Sequence, residues 1–175
     1  PESLPVVAKA SSAAAPAQGR SPGVSRGGDG TGGGGGPAES IVPGSGASSG
    51  ASSVTTGLKA LAEEGIAWSV LTTKGKAFTA ELLAGIGLVP ARLDGHESGP
   101  KPEVLLRLAE EWHLRGFVED RRPTLETVRA TEGLDALPCW LVSWGYLQPT
   151  DSQRLPDGIR LLSRDRFVSP LAEWP

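Results

Sequence analysis

The chain has 175 residues, with 17 basic and 20 acidic side chains and a formal net charge of −3. This near balance gives no support to nucleic-acid binding, which needs a basic excess or a basic stripe. No apolar run approaches the roughly 20 residues that span a bilayer. The single cysteine, Cys139, excludes an intrachain disulfide and a multi-cysteine metal site, and it suits a reducing compartment. The composition predicts a soluble intracellular protein without nucleic-acid or membrane partners.

Residues 1–56 are rich in Ala, Gly, Ser and Pro, and they include the glycine run 32–36. Such a stretch buries too little apolar surface to offset the entropy lost on ordering it. We therefore expect residues 1–56 to form a disordered tail and residues 57–175 to form the folded core. Two short apolar pairs, Val6-Val7 and Ile41-Val42, are the only places in the tail where docking is expected.

From Leu58 onward the sequence takes on the periodicity of regular structure. A short helix is predicted over 58–64, and the glycine that follows it is a helix-stop signal. The apolar run 66–71 has the length of a strand. A helix is predicted over 75–86, and four apolar residues are expected to share one side of it: Phe78, Leu82, Leu83 and Ile86.

The same alternation continues to the end of the chain. Pro102 opens a helix whose apolar residues recur at i, i+3, i+4 and i+7, and Pro123 opens another. Short strands are predicted over 92–94, 116–118, 139–142 and 158–162, before a terminal helix that contains Phe167 and Leu171. Strands that alternate with helices predict an α/β fold, with a mainly parallel sheet and helices on both faces.

Three polar side chains are predicted at one edge of this sheet. Thr72 follows the first clear strand, Asp120 follows a later one together with Glu119, and Lys101 lies at a helix start between them. Ligands of open parallel sheets bind outside the carboxyl ends of the strands. A hydroxyl, an ammonium and a carboxylate at this edge suit a phosphate group beside Mg²⁺, which prefers oxygen ligands.

Four short segments, in this order, resemble the haloacid-dehalogenase-like (HAD) hydrolase superfamily. Residues 70–74 are similar to its motif II, a strand that ends in Thr or Ser, and residues 99–102 to motif III, which contains the phosphate-facing lysine. Residues 117–120 are similar to motif IV, the acidic pair that binds magnesium. Residues 143–146 match a loop of phosphoglycolate-phosphatase-like members. The resemblance covers about residues 57–175 and is closest to HAD-like proteins of plants, algae and cyanobacteria.

The resemblance implies a Rossmann-like fold and a phosphatase-type, Mg²⁺-dependent activity on a small phosphorylated substrate. An aspartyl nucleophile would form a covalent intermediate. Thr72 and Lys101 would be the catalytic residues that hold the phosphoryl oxygens, and Asp120, with Glu119, would bind the Mg²⁺ ion. The cytoplasm or the plastid stroma is the implied location.

The nucleophile of motif I is missing, because no Asp-x-Asp precedes Thr72. The segment 28–31 (Gly-Asp-Gly-Thr) echoes the end of that motif, but polyglycine surrounds it and no apolar strand precedes it. Since the chain also begins with Pro1, we expect the C-terminal part of a HAD-like core that is inactive as it stands. The alternative is a non-catalytic, HAD-derived binding or scaffold protein.

This sequence departs from the resembled family at two further points, one in the metal-binding motif and one in the sheet. Motif IV often carries a second acid four or five residues on, where this chain has Thr124 and Leu125, with Glu126 one later. The motif I strand is central in the resembled sheet, so strands 66–71 and 116–118 are expected to face a gap. Direct pairing of these two strands is the favoured outcome, ahead of an open slot and of insertion of a tail segment such as 41–42. A strand donated by a separate chain is a further way to fill the gap.

The residues of the predicted site also have structural alternatives. Thr72 could be a strand-end hydroxyl, Lys101 a solvated loop lysine, and Asp120 the cap of the helix that follows it. Trp144 and Tyr146 could line a substrate pocket or pack in the core. The sequence leaves these alternatives open.

Overall fold

The computed structural model describes residues 6–8, 46–145 and 147–175, with side chains described from Ser53 onward. It contains a six-stranded sheet in the order β3-β2-β1-β4-β5-β6, and all neighbouring strands are parallel. The strands are β1 (Val6–Ala8), β2 (Trp68–Leu71), β3 (Arg92–Asp94), β4 (Gly116–Glu119), β5 (Cys139–Val142) and β6 (Ile159–Leu162). The predicted α/β fold with parallel strands is confirmed.

Five α-helices accompany the described strands. They are α1 (Gly46–Glu63), α2 (Lys76–Gly85), α3 (Lys101–Glu111), α4 (Arg122–Arg129) and α5 (Arg164–Phe167). Proline at the first or second position opens both α3 and α4, where the missing N–H costs nothing. The expected terminal helix is interrupted, since α5 ends at Phe167 and Leu171 begins a separate 3₁₀ turn, Leu171–Glu173.

The helices pack on both faces of the sheet and enclose two apolar cores. One core joins α1, α2 and α5 to Val70, Val118 and Val142 on the strands. The other joins α3 and α4 to Phe117 and Leu141. Successive strand residues such as Phe117 and Val118 enter opposite cores, because side chains alternate across a pleated strand. Strands β2, β4 and β5 are buried along their whole length, as is typical of a sheet covered on both faces.

The centre of the sheet is where the structure departs most from expectation. Strand β1 lies between β2 and β4, with Val7 paired to Ser69 on one side and to Phe117 on the other. Direct pairing of β2 with β4, the favoured prediction, is therefore wrong, and the expected gap is filled. The segment that fills it is Val6–Ala8, whereas residues 41–42 lie outside the described part of the chain. A short β-prone segment is enough to satisfy the backbone groups of both neighbours.

The predicted disordered tail over 1–56 falls mostly outside the described residues. Within it, the structure describes strand β1 and the start of helix α1 at Gly46. The first helix therefore begins well before the predicted 58–64, although it ends where expected. It stops beside Gly65, whose φ of 73° lies in the left-handed region that favours glycine.

Helix α2 buries a different side from the predicted one. Phe78, Leu82 and Ile86 are each more than half exposed, and Leu83 and Thr79 are the residues that α2 buries. Positions 79 and 83 are one turn apart, so they form a stripe that is rotated away from 78, 82 and 86. The predicted apolar side is therefore mainly a solvent-facing surface.

The buried thiol of Cys139 gives a first testable expectation. Burial raises the pKa of Cys139 to about 11, and the nearby Arg129 charge only partly opposes this shift. Because the thiolate is the reactive form, the native chain should react with a disulfide reagent at pH 8 about a hundredfold more slowly than the urea-unfolded chain. The rate is measured by release of the reagent's coloured thiol. Equal rates in the two states would contradict this assignment.

Candidate functional site

Thr72 and Asp120 follow strands on either side of the central strand. Ala8 of β1 pairs with Val70 on β2 and with Val118 on β4. Thr72 and Asp120 each lie two residues beyond that row, so they stand at the same level of the sheet. Strands are spaced by about 4.8 Å, which separates these two backbone positions by roughly 10 Å. Both side chains belong to buried residues.

The Thr72 hydroxyl organises the turn that follows β2. Its oxygen accepts a hydrogen bond from the backbone N–H of Lys74 at 3.1 Å, and the Thr72 N–H donates to the Asp94 carbonyl at 2.9 Å. Thr72 therefore acts as a strand-end hydroxyl that stabilises the turn after β2. A hydroxyl that accepts one bond still has its own proton to donate, so this geometry is compatible with holding a phosphoryl oxygen.

Lys101 forms an ion pair with Glu119, the last residue of β4. The Lys101 side chain is 13% exposed and the Glu119 side chain is 0% exposed. The ammonium also lies 5.8 Å from the centroid of the Phe117 ring, which is within the range of a cation–π contact. Lys101 is therefore not a solvated loop lysine. The first residue of α3 and the end of β4 are joined directly at this edge of the sheet.

Asp120 is buried and lies one residue before the N-cap position of the helix that follows it. The N-cap position of α4 belongs to Arg121, which makes no side-chain capping bond. The Asp120 N–H donates to the second carboxylate oxygen of Glu119 at 3.0 Å. A Cβ atom at Gly145 would lie 2.4 Å from the Asp120 Cβ, so the loop after β5 approaches Asp120 so closely that glycine is required there.

Trp144, on the same loop, packs into the core. Its ring lies 5.5 Å from that of Phe167, measured between centroids, and it contacts the core formed with α1, α2 and α5. The core-packing alternative therefore holds for Trp144. Tyr146 is outside the described residues.

The acidic side chains near the expected Mg²⁺ site have partners within the protein. Both carboxylate oxygens of Glu119 are engaged, by Lys101 and by the Asp120 N–H. Glu126 accepts a 2.7 Å bond from Arg122 on the surface of α4. Within the described ranges no group of three or more His, Cys, Asp or Glu residues is placed to hold a metal. Asp120 and Glu119 are the described carboxylates that follow or end β4 at this edge. Proteins commonly hold Mg²⁺ through one or two carboxylates together with water and substrate phosphate.

A hydrogen-bond network centred on Asp94, beside Thr72, was not predicted from the sequence. The Asp94 carboxylate accepts bonds from Arg92 Nε at 2.9 Å and from Ser98 Oγ at 3.0 Å. The hydrogen bond to Asp94 raises the pKa of Arg92, although that group titrates far above neutrality in any case. The alternation Arg92-Leu93-Asp94 is the signal that could have revealed it, because residues two apart lie on one face of a strand.

Glu97 ties the loop after β3 to the start of α2. Its two carboxylate oxygens accept the Lys76 N–H at 3.1 and 3.3 Å. Hydrogen bonds from the backbone N–H groups of Glu97 itself and of Lys76 lower the pKa of Glu97. The His96 N–H donates to the Lys74 carbonyl at 3.0 Å and holds the same two loops together. The N-terminus of α2 is thus satisfied by a carboxylate of the protein.

No protein-family model, curated protein or solved structure gives a significant match to this chain. None of the helices in the described part of the chain is long and apolar enough to cross a membrane. The strand order and the residues at the carboxyl edge are the features of this chain that bear on function.

Proposed function

We propose that this chain is a HAD-like, Rossmann-type domain that binds a small phosphorylated ligand at the carboxyl edge of its sheet. The strand order carries the proposal. An order of 3-2-1-4-5-6 in a parallel sheet is that of doubly wound folds, whose ligands bind where the order reverses, between strands 1 and 4. Thr72 and Asp120 follow the two strands that flank β1, on either side of its carboxyl end.

Two side chains supply the recognition of a phosphoryl group. The Thr72 hydroxyl donates its proton to one phosphoryl oxygen, and the Lys101 ammonium offsets the negative charge. Glu119 positions Lys101 through their ion pair, and the Phe117 ring makes a cation–π contact with the ammonium. The ammonium has three N–H donors, so its ion pair with Glu119 does not by itself prevent a contact with a phosphoryl oxygen.

The sequence that follows the central strand supports binding rather than hydrolysis. The residues after Ala8 in the sequence are Lys9, Ala10, Ser11 and Ser12, and no aspartate occurs between Ala8 and Asp29. By the resemblance, the nucleophile would follow the central strand. Mg²⁺-dependent phosphatase activity is the second candidate function, and it requires an aspartate that this segment does not contain.

The proposal predicts phosphate binding without turnover. The purified chain should bind inorganic phosphate, and Thr72→Val should weaken that binding by about tenfold or more, because a hydrogen bond to a charged group contributes about 1.5–3 kcal/mol. Calorimetric titration measures the affinity. The neighbouring Thr73 is exposed, so Thr73→Val is the matched control and should leave the affinity unchanged. No release of nitrophenol from p-nitrophenyl phosphate is expected, with or without Mg²⁺.

Two results would count against this assignment. Absence of phosphate binding, or equal binding by the Thr72→Val and Thr73→Val variants, would remove the proposed site. Mg²⁺-dependent turnover that Asp120→Asn abolishes would instead favour the phosphatase, and it would show that another acid acts as the nucleophile.

A further inference from the structure

At the opposite edge of the sheet, one arginine has no acidic partner among the described residues. Arg129 is the last residue of α4 and is partly buried. Its Nη1 donates to the Leu137 carbonyl at 3.3 Å, while its buried Nε has no hydrogen-bond partner in the part of the chain that the structure describes. Within residues 53–145 and 147–175, no carboxylate lies within ion-pair distance of this guanidinium. A partly buried charge without a counter-charge is costly, which makes the position a candidate for an anionic ligand.

Arg129 lies beside a cavity of about 230 Å³ to which a second arginine contributes. Arg160, on the edge strand β6, lines the same cavity and also has no ion pair among the described side chains. Asp135 is the acidic residue of the lining, and it is exposed. With two arginines and one exposed aspartate among its lining residues, the cavity has a net positive formal charge.

Gly158 allows the guanidinium of Arg129 to sit where it does. A Cβ atom at this position would lie 2.4–2.5 Å from the Cζ, Nη2 and Nε atoms of Arg129. Gly158 also has a φ of 82°, in the region that favours glycine. The turn before β6 is therefore shaped around the flat face of the arginine, which holds the fork of N–H groups in one orientation.

We infer that Arg129 and Arg160 form a second site, which binds a small oxyanion. Arginine presents planar, paired donors that match the oxygens of phosphate or carboxylate groups. The cavity is smaller than the roughly 300–1,000 Å³ typical of pockets for drug-sized ligands, so its ligand is small.

The residues that line this cavity lie just before β5 and β6 or at the amino ends of these strands. Four-residue strands separate this level from the carboxyl edge by about 13 Å. The site is therefore distinct from that of Thr72.

Nuclear magnetic resonance titrations with inorganic phosphate and with malonate test this inference and distinguish the two anion classes. Backbone amide signals of Gly158 and Cys139 and the Nε–H signal of Arg129 should shift with one or both anions. Arg160→Gln should weaken that response about tenfold, as expected for loss of a charge-assisted contact. Arg121→Gln changes an exposed arginine elsewhere and should have no effect. Arg129→Lys keeps the charge but removes the planar pair of N–H donors, and it should also weaken binding.

The outcomes separate this site from the proposed phosphate site. Shifts around Gly158 that persist in the Thr72→Val variant and decline in Arg160→Gln establish the second site. Shifts confined to the carboxyl edge and lost in Thr72→Val would support the proposed function and overturn this inference. If neither anion shifts the Gly158 region, or if Arg160→Gln responds like the unmodified chain, Arg129 serves only to hold the Leu137 carbonyl. Because Arg160 is exposed on an edge strand, its substitution tests the site without depending on the fold.

Discussion

A chain that lacks residues 1–8 is expected to have a free energy of unfolding about 3–6 kcal/mol lower than that of the full chain. Strand β1 pairs with both β2 and β4, so its removal leaves two rows of backbone groups without partners at the centre of the sheet. Each lost hydrogen bond contributes about 0.5–1.5 kcal/mol, and several are lost together. Domains of this size are stable by only about 5–15 kcal/mol. Urea denaturation followed by tryptophan fluorescence measures the difference.

Removal of residues 1–5 alone is the matched control, because it shortens the chain but keeps Val6–Ala8. This shorter deletion should change the free energy of unfolding by less than about 0.5 kcal/mol, because the backbone pairs of β1 with β2 and β4 all remain. Val7→Pro in the full chain should also destabilise it, since proline removes an N–H from the ladder of a central strand. Equal stability of the two deletion variants would show that β2 and β4 pair directly after all.

The largest single-residue effect is expected at the buried ion pair of Lys101 and Glu119. Lys101→Met should lower the free energy of unfolding by about 3–5 kcal/mol, because it removes a counter-charge from a carboxylate whose side chain is fully buried. Lys101→Met combined with Glu119→Leu should be less destabilised than Lys101→Met alone. The double variant no longer buries that charge, although it loses the bond from the Asp120 N–H, which contributes about 1 kcal/mol.

A double-mutant cycle on urea unfolding measures the coupling between the two side chains. The surface pair of Arg122 and Glu126, one turn apart on α4, is the control. Its cycle should give about 0.3–0.5 kcal/mol, since exposed i, i+4 pairs are weak. A coupling of that size between Lys101 and Glu119 would mean that solvent screens them as well. The proposed positioning of Lys101 by Glu119 would then be wrong.

Local sequence pattern was enough to predict most of the elements. The four-residue apolar run of β5 and the proline-opened helices α3 and α4 occur where the periodicity placed them. Once β2 and β4 were predicted to be parallel, their last residues had to lie at one edge. For that reason, Thr72 and Asp120 could be assigned to a common edge from the sequence.

Contacts between distant residues were decided only by the tertiary structure. The periodicity of α2 does not reveal which stripe faces the sheet, and the pairing of Lys101 with Glu119 depends on how α3 packs against β4. The same holds for Arg129, whose surroundings come from the turns before β5 and β6.

The position of the central strand is the feature that depends most clearly on the tertiary structure. Val6–Ala8 lies in a stretch whose composition predicts disorder, and its partners begin at Trp68 and Gly116. Its place in the sheet follows from the unpaired N–H and C=O groups that β2 and β4 would otherwise bury, and each such group costs about 1–3 kcal/mol. That free energy belongs to the assembled sheet. A local sequence pattern reports the preferences of neighbouring residues and contains no information about a slot formed by strands more than fifty residues away.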